Sequence, residues 1–128
     1  GNMAVSASNS SMTSDNEDTI NTYNEWRGKD SSGRRDYFNK HFAIAYDRLI
    51  CLKDGQYNIS VRGYAGDRWG NQGKIYVNNV LVAYMYDNNN HGVFFNRINI
   101  NLIRGDYITI KGKTHNNEVY NQLEITRL

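Results

Sequence analysis

In Tyr57-Asn58-Ile59-Ser60-Val61-Arg62, apolar and polar side chains alternate without a break. A strand points successive side chains to opposite faces, so Tyr57, Ile59 and Val61 share one face. A helix would not bury that set together. The same period returns along the chain. Phe94, Ile98, Ile100 and Leu102 share one parity, and Phe95, Arg97, Asn99 and Asn101 the other. Ile108 and Ile110 point one way in Tyr107–Lys111, as do Leu123 and Ile125 in the closing stretch Val119–Leu128. Lys74–Val77 and Val80–Tyr86 flank Asn78-Asn79, a pair able to take the positive φ values of a type I′ hairpin turn. His41–Leu52 reads as a strand or a bent pair of strands, ending at the turn Lys53-Asp54-Gly55. Thr19–Arg27, with Ile20, Tyr23 and Trp26, reads as a short edge strand. Roughly eight short strands spaced ~8–12 residues apart, with no helix, predict an all-β antiparallel sandwich or barrel.

The chain of 128 residues is long enough for one domain with its own core, and no internal repeat marks a second. Residues 1–18 are dominated by Ser, Asn, Asp and Glu, with little to bury against the entropy of ordering them. They are expected to form a flexible tail ahead of a folded domain at 19–128, and Gly1-Asn2 ahead of Met3 reads as a cloning remnant. Fifteen Lys and Arg against thirteen Asp and Glu leave a net charge of +2 with both signs mixed. A nucleic-acid binder concentrates its cations on one face, so no nucleic-acid partner is expected. Neither is membrane insertion, because no apolar run approaches the ~18 residues of a span. Cys51 is the single cysteine, which excludes an internal disulfide. Its setting in Leu49-Ile50-Cys51-Leu52 makes it a small buried hydrophobe.

Catalytic patterns are sparse. His41, His91 and His115 lie far apart, and neither C-x₂-C nor H-x₃-H spacing occurs, so no zinc site is expected. Asp87-Asn88-Asn89-Asn90 lacks the glycine and terminal glutamate of a calcium loop and reads as a solvated turn. No serine or cysteine has a sequence-marked base partner, and Glu25, Glu118 and Glu124 read as surface carboxylates. No enzymatic activity is expected, with a nucleotide-dependent activity as the alternative, and no cofactor. Two loops carry ligand chemistry. In Gly28–Arg35, Lys29, Ser31, Ser32, Arg34 and Arg35 supply cations and hydroxyls suited to a phosphate or nucleotide. The order of a Walker A loop fails there, since Arg34-Arg35 follow Gly33, and a plain solvated loop fits the same residues. In the glycine-rich Gly63–Gly73, Asp67, Arg68, Trp69 and Asn71 combine an aromatic platform with polar groups suited to a sugar. Trp69 folded back onto the end of the sandwich is the structural alternative. Tyr84 and Tyr86, alternating with Met85, suit a buried face or a subunit seam.

Asp54-Gly55-Gln56-Tyr57-Asn58-Ile59-Ser60-Val61, Lys74-Ile75-Tyr76-Val77-Asn78-Asn79, Leu102-Ile103-Arg104-Gly105-Asp106-Tyr107-Ile108-Thr109-Ile110 and Leu123-Glu124-Ile125 follow one another in an order that resembles the C1q/TNF-like jelly-roll superfamily. The resemblance covers about residues 36–128 and implies a jelly-roll sandwich that assembles as a homotrimer around a threefold axis. It carries no shared catalytic residues. The absence of proline and the abundance of asparagine are more like the small jelly rolls of bacteriophage tail fibres and neck appendages. Such domains either nucleate trimerisation, sometimes as a chaperone, or bind the host surface. The expected partner is therefore the chain itself, with a cell-surface glycan or a phosphate-containing group as candidate ligand, in a virion or in the host cytoplasm during assembly. A monomeric carbohydrate-binding module of a larger enzyme and a nucleotide- or phosphate-binding assembly domain are the alternatives.

Overall fold

The alternating residues sit where their period places them. Tyr57, Ile59, Val61, Ile108, Ile110, Leu123 and Ile125 are all 1% exposed or less. The computed structural model describes residues 2–8, 19–23, 25–26, 41–64, 70–87, 93–112 and 122–128. Among these it has ten strands: β1 (Asn2–Ser8), β2 (Glu25–Trp26), β3 (Phe42–Ile44), β4 (Leu49–Cys51), β5 (Gly55–Tyr64), β6 (Gly70–Val77), β7 (Val80–Asp87), β8 (Val93–Leu102), β9 (Tyr107–Lys111) and β10 (Gln122–Arg127). They form two five-stranded antiparallel sheets, ordered β2-β1-β10-β5-β8 and β3-β4-β9-β6-β7. The chain passes repeatedly from one sheet to the other, so most neighbours are distant in sequence. This is the expected all-β jelly-roll sandwich.

Between the sheets lies one core. Val5, Tyr57, Ile59, Val61, Leu123 and Ile125 from the first sheet join Leu49, Cys51, Ile75, Val77, Ile108 and Ile110 from the second. Phe42 closes it edge-on against Tyr57, with ring centroids 5.1 Å apart at 72°. The Tyr57 hydroxyl donates to the Lys53 carbonyl at 2.7 Å, which lets a phenol enter the core with its polar end satisfied.

The expected tail is corrected over residues 2–8. They form β1, paired with β10 on one side and β2 on the other. Ala4, Val5, Ala7 and Ser8 are buried. A register shift between Met3 and Val5 turns both Ala4 and Val5 inward, which strict alternation forbids. The side chains are too small to signal a strand in sequence. Their backbone groups are satisfied by β10, and Val5 lies opposite Ile125 in that ladder. Residues 9–18 lie outside the described residues.

The glycine-rich loop is also shorter than expected. β5 continues to Tyr64 and β6 begins at Gly70, leaving 65–69 outside the description. Gly73, with φ of 59°, sits where the β6–β7 register shifts between Gln72 and Ile75. It therefore marks a bulge inside a strand, not the end of a loop. The hairpin at Asn78-Asn79 forms as predicted, with φ of 51° and 65°. Asn78 Nδ2 donates to Asp106 Oδ1 at 2.9 Å, and Asn78 Oδ1 accepts from the Tyr107 N–H at 3.0 Å. The β6–β7 turn is thereby tied to the β8–β9 turn, where Gly105 adopts φ of 97°.

Ile59→Ala or Ile110→Ala is expected to cost roughly 2–5 kcal/mol, read from the urea midpoint at unchanged slope. Glu124→Ala, on the exposed parity of β10, is expected to stay within about 0.5 kcal/mol. Amide exchange at residues 5–7 is expected to be strongly slowed, and free-chain rates there would contradict the β1 pairing.

Candidate functional site

Alternation that fills the core with one parity leaves the other to face outward. On the first sheet the outward residues of β10, β5 and β8 fall in cross-strand rows. Glu124 lies opposite Ser60 and Ser60 opposite Arg97. Gln122 lies opposite Arg62 and Arg62 opposite Phe95, while Thr126, Asn58 and Asn99 form a third row. Asn58 Nδ2 donates to Asn99 Oδ1 at 2.7 Å, and the Ser60 hydroxyl donates to Asn58 Oδ1 at 2.8 Å. Arg62 Nη2 donates to Gln122 Oε1. This face is polar and already ordered by its own hydrogen bonds. Ser60, Arg62, Phe95, Gln122 and Glu124 surround a shallow pocket of about 50 Å³ on it.

Apolar exposure lies next to that face. β8 is the edge of the first sheet and β7 the edge of the second, and the two strands pack on each other along one side of the sandwich. Val80 is 62% exposed, Leu81 41%, Tyr84 54% and Phe95 50%. Among the described residues only Tyr46, Ile103 and Leu128 are other large hydrophobics exposed to that degree, so the edge carries most of this surface. Tyr84 is thus not a core residue. The side chain of Tyr86 lies outside the description.

Tyr76 and Tyr107, outward aromatics of the second sheet, are less bare than their parity suggests. Lys111 Nζ sits 4.7 Å from the Tyr76 ring centroid, and the Arg48 guanidinium 4.4 Å from that of Tyr107. Each aromatic face is covered by a cation of the same chain. Thr109, outward by parity, is only 6% exposed and so is not a solvent-facing position.

Of the predicted ligand residues, only Asn71 lies among the described ones. Lys29, Ser31, Ser32, Arg34 and Arg35 lie outside the described residues, as do Asp67, Arg68 and Trp69. Asn71 stands in β6 opposite Tyr86, so it belongs to a strand and not to the loop expected there. Among the described residues no group of three or more His, Cys, Asp or Glu is placed to hold a metal ion. Cys51 is fully buried, and its thiol points at the Lys53 carbonyl at 3.2 Å. Burial pushes the thiol pKa up, which keeps it from the reactive thiolate form.

No protein-family model matches the sequence, and no curated protein shows significant similarity to it. Solved structures do resemble it. Murine APRIL at pH 5.0 aligns with a TM-score of 0.67 at 14% identity, covering 100% of both chains. Rabbit GITRL gives 0.60 at 13%, covering 98% of this chain and 94% of that one. Pika GITRL gives 0.56 at 14%, covering 70% and 84%. The chain therefore has the TNF-like jelly-roll fold. At such identities the likeness is one of fold.

Native protein at pH 8 is expected to leave Cys51 unmodified by a disulfide reagent, with full reaction on denaturation. Rapid labelling of the folded chain would show that the end of the core near Lys53 opens easily.

Proposed function

We propose that this domain is a homotrimeric assembly and attachment module. The observation that carries the reading is the exposure of large apolar side chains on the two edge strands, Val80, Leu81 and Tyr84 on β7 and Phe95 on β8. A monomeric sandwich wets such surface at a free-energy cost, and exposed apolar groups on neighbouring edges are suited to a contact. A closed ring of identical chains needs two different patches that meet. The apolar edge and the ordered polar face of β10, β5 and β8 are different, adjacent and joined at Phe95. Threefold closure is what the resemblance to C1q/TNF-like jelly rolls implies, and the TNF-like fold supports it.

Within that reading, the proline-free, asparagine-rich composition favours a bacteriophage tail-fibre or neck-appendage domain. There a trimer would register three chains during assembly or present three copies of a binding surface to the host. Mutual alignment needs neither a catalytic group nor a cofactor. Among the described residues no helix is long and apolar enough to cross a membrane.

Sedimentation equilibrium at micromolar concentration is expected to give about three times the 14.8 kDa chain mass. Tyr84→Glu combined with Phe95→Glu places two charges in the seam and is expected to cost at least about 2 kcal/mol of association. The variant should run as a monomer with an unchanged far-ultraviolet spectrum, since both side chains are about half exposed. A wild-type mass near that of one chain would remove the proposal.

A further inference from the structure

β9 changes neighbour along one of its edges. Leu49 and Ile50 of β4 pair with Ile108 and Tyr107, and further along Ile20 bridges to Lys111. Between these points the β3–β4 turn borders an opening whose lining joins Asn21, Tyr23, Tyr46, Asp47, Arg48 and Thr109 to the apolar Leu49, Ile108 and Ile110. Its volume is about 10 Å³, room for one hydroxyl-sized group.

The floor holds a polar atom without a partner. Asn21 is 8% exposed, and its backbone N–H donates to the Ile110 carbonyl at 2.7 Å. Its side chain hydrogen-bonds Tyr23, while its Oδ1 is buried with no hydrogen-bond partner among the described residues. A buried acceptor left unpaired is costly, and such atoms in native folds point to a missing donor. Beside it, Tyr46 is 87% exposed, the barest large hydrophobic among the described residues.

The rim is prearranged. Arg48 Nε donates to Asp47 Oδ1 at 3.1 Å, while the same guanidinium covers Tyr107. Arg48 is thus held from two sides, and it keeps the Asp47 carboxyl below the usual carboxylate range, as a permanent acceptor. Burial raises the pKa of Tyr23, so its phenol stays neutral. Each ligand class can be weighed against these groups. An anion would meet the Asp47 carboxylate, a cation would meet Arg48, and a purely apolar group would leave Asn21 Oδ1 unpaired. A neutral polyhydroxylated ring with one apolar face satisfies all of them.

We propose that this opening is a saccharide site. One sugar hydroxyl donates to Asn21 Oδ1, the apolar face of the ring lies on Tyr46, and adjacent hydroxyls bond the Asp47–Arg48 pair. All of its residues belong to one protomer, on the side of the second sheet away from β7, so the site does not depend on the trimeric reading.

Isotope-labelled full chain is titrated with glucose, galactose, mannose, rhamnose and N-acetylglucosamine separately, and the sedimentation mass of each sample is recorded. At least one sugar is expected to shift the amides of residues 45–49 and the Asn21 side-chain amide in a saturable manner. Tyr46→Ala should weaken that binding by roughly tenfold at an unchanged melting temperature, while Tyr46→Phe should retain it. If none of the five sugars moves these resonances, the opening holds water alone and the proposal fails. It fails equally if the shifts persist undiminished in Tyr46→Ala. The mass reports separately on the trimer, so the two readings can fail independently.

Discussion

β10 lies at the centre of the first sheet, between β1 and β5, and the rest of the sandwich is arranged around it. Leu123 and Ile125 stand opposite Val61 and Ile59 on one side and Ala7 and Val5 on the other. All but Ala7, at 3%, are 1% exposed or less. Removing β10 would leave β2-β1 and β5-β8 as two-stranded ribbons, which are marginal in water. The second sheet would then lack the surface against which Ile75, Ile108 and Ile110 are buried. The pairing is also long-range, since Gln122 meets Arg62 across most of the second half of the chain. Loop closure on that scale must come before the contacts that offset it, which places the domain among slowly folding topologies.

Much of the architecture was legible because alternation and burial coincide in β5 and β10. The Asn78-Asn79 turn was legible for a different reason, as few residues other than glycine accept two successive positive φ values. β1 was not. Met3-Ala4-Val5-Ser6-Ala7-Ser8 has small side chains and a bulge that breaks the period, so its strand character arises only against Leu123 and Ile125. Gly73 misled for a related reason, because the same residue type serves loops and bulges.

The surface was harder to read than the core. Parity marked Tyr76, Phe95 and Tyr107 alike as outward aromatics, yet only Phe95 is left open. Lys111 and Arg48 cover the other two, and nothing in local sequence links Arg48 to a ring fifty-nine positions away. The apolar edge depends on β7 and β8 both being sheet edges on the same side, which is a property of topology. Tyr46-Asp47-Arg48 lay inside a stretch read as strand, and its neighbour Asn21 in one read as an edge. Their meeting follows from the change of partner along β9.

The central place of β10 has a consequence during synthesis. Chain emerges from the ribosome at about 5–20 residues per second, and the first sheet cannot close until Gln122–Arg127 has left the exit tunnel. A nascent chain short of these residues therefore presents an unfinished sheet, in which Val5, Ile59 and Val61 lack their cross-strand partners. The facing edges of β1 and β5 therefore stay open for as long as β10 has not joined them.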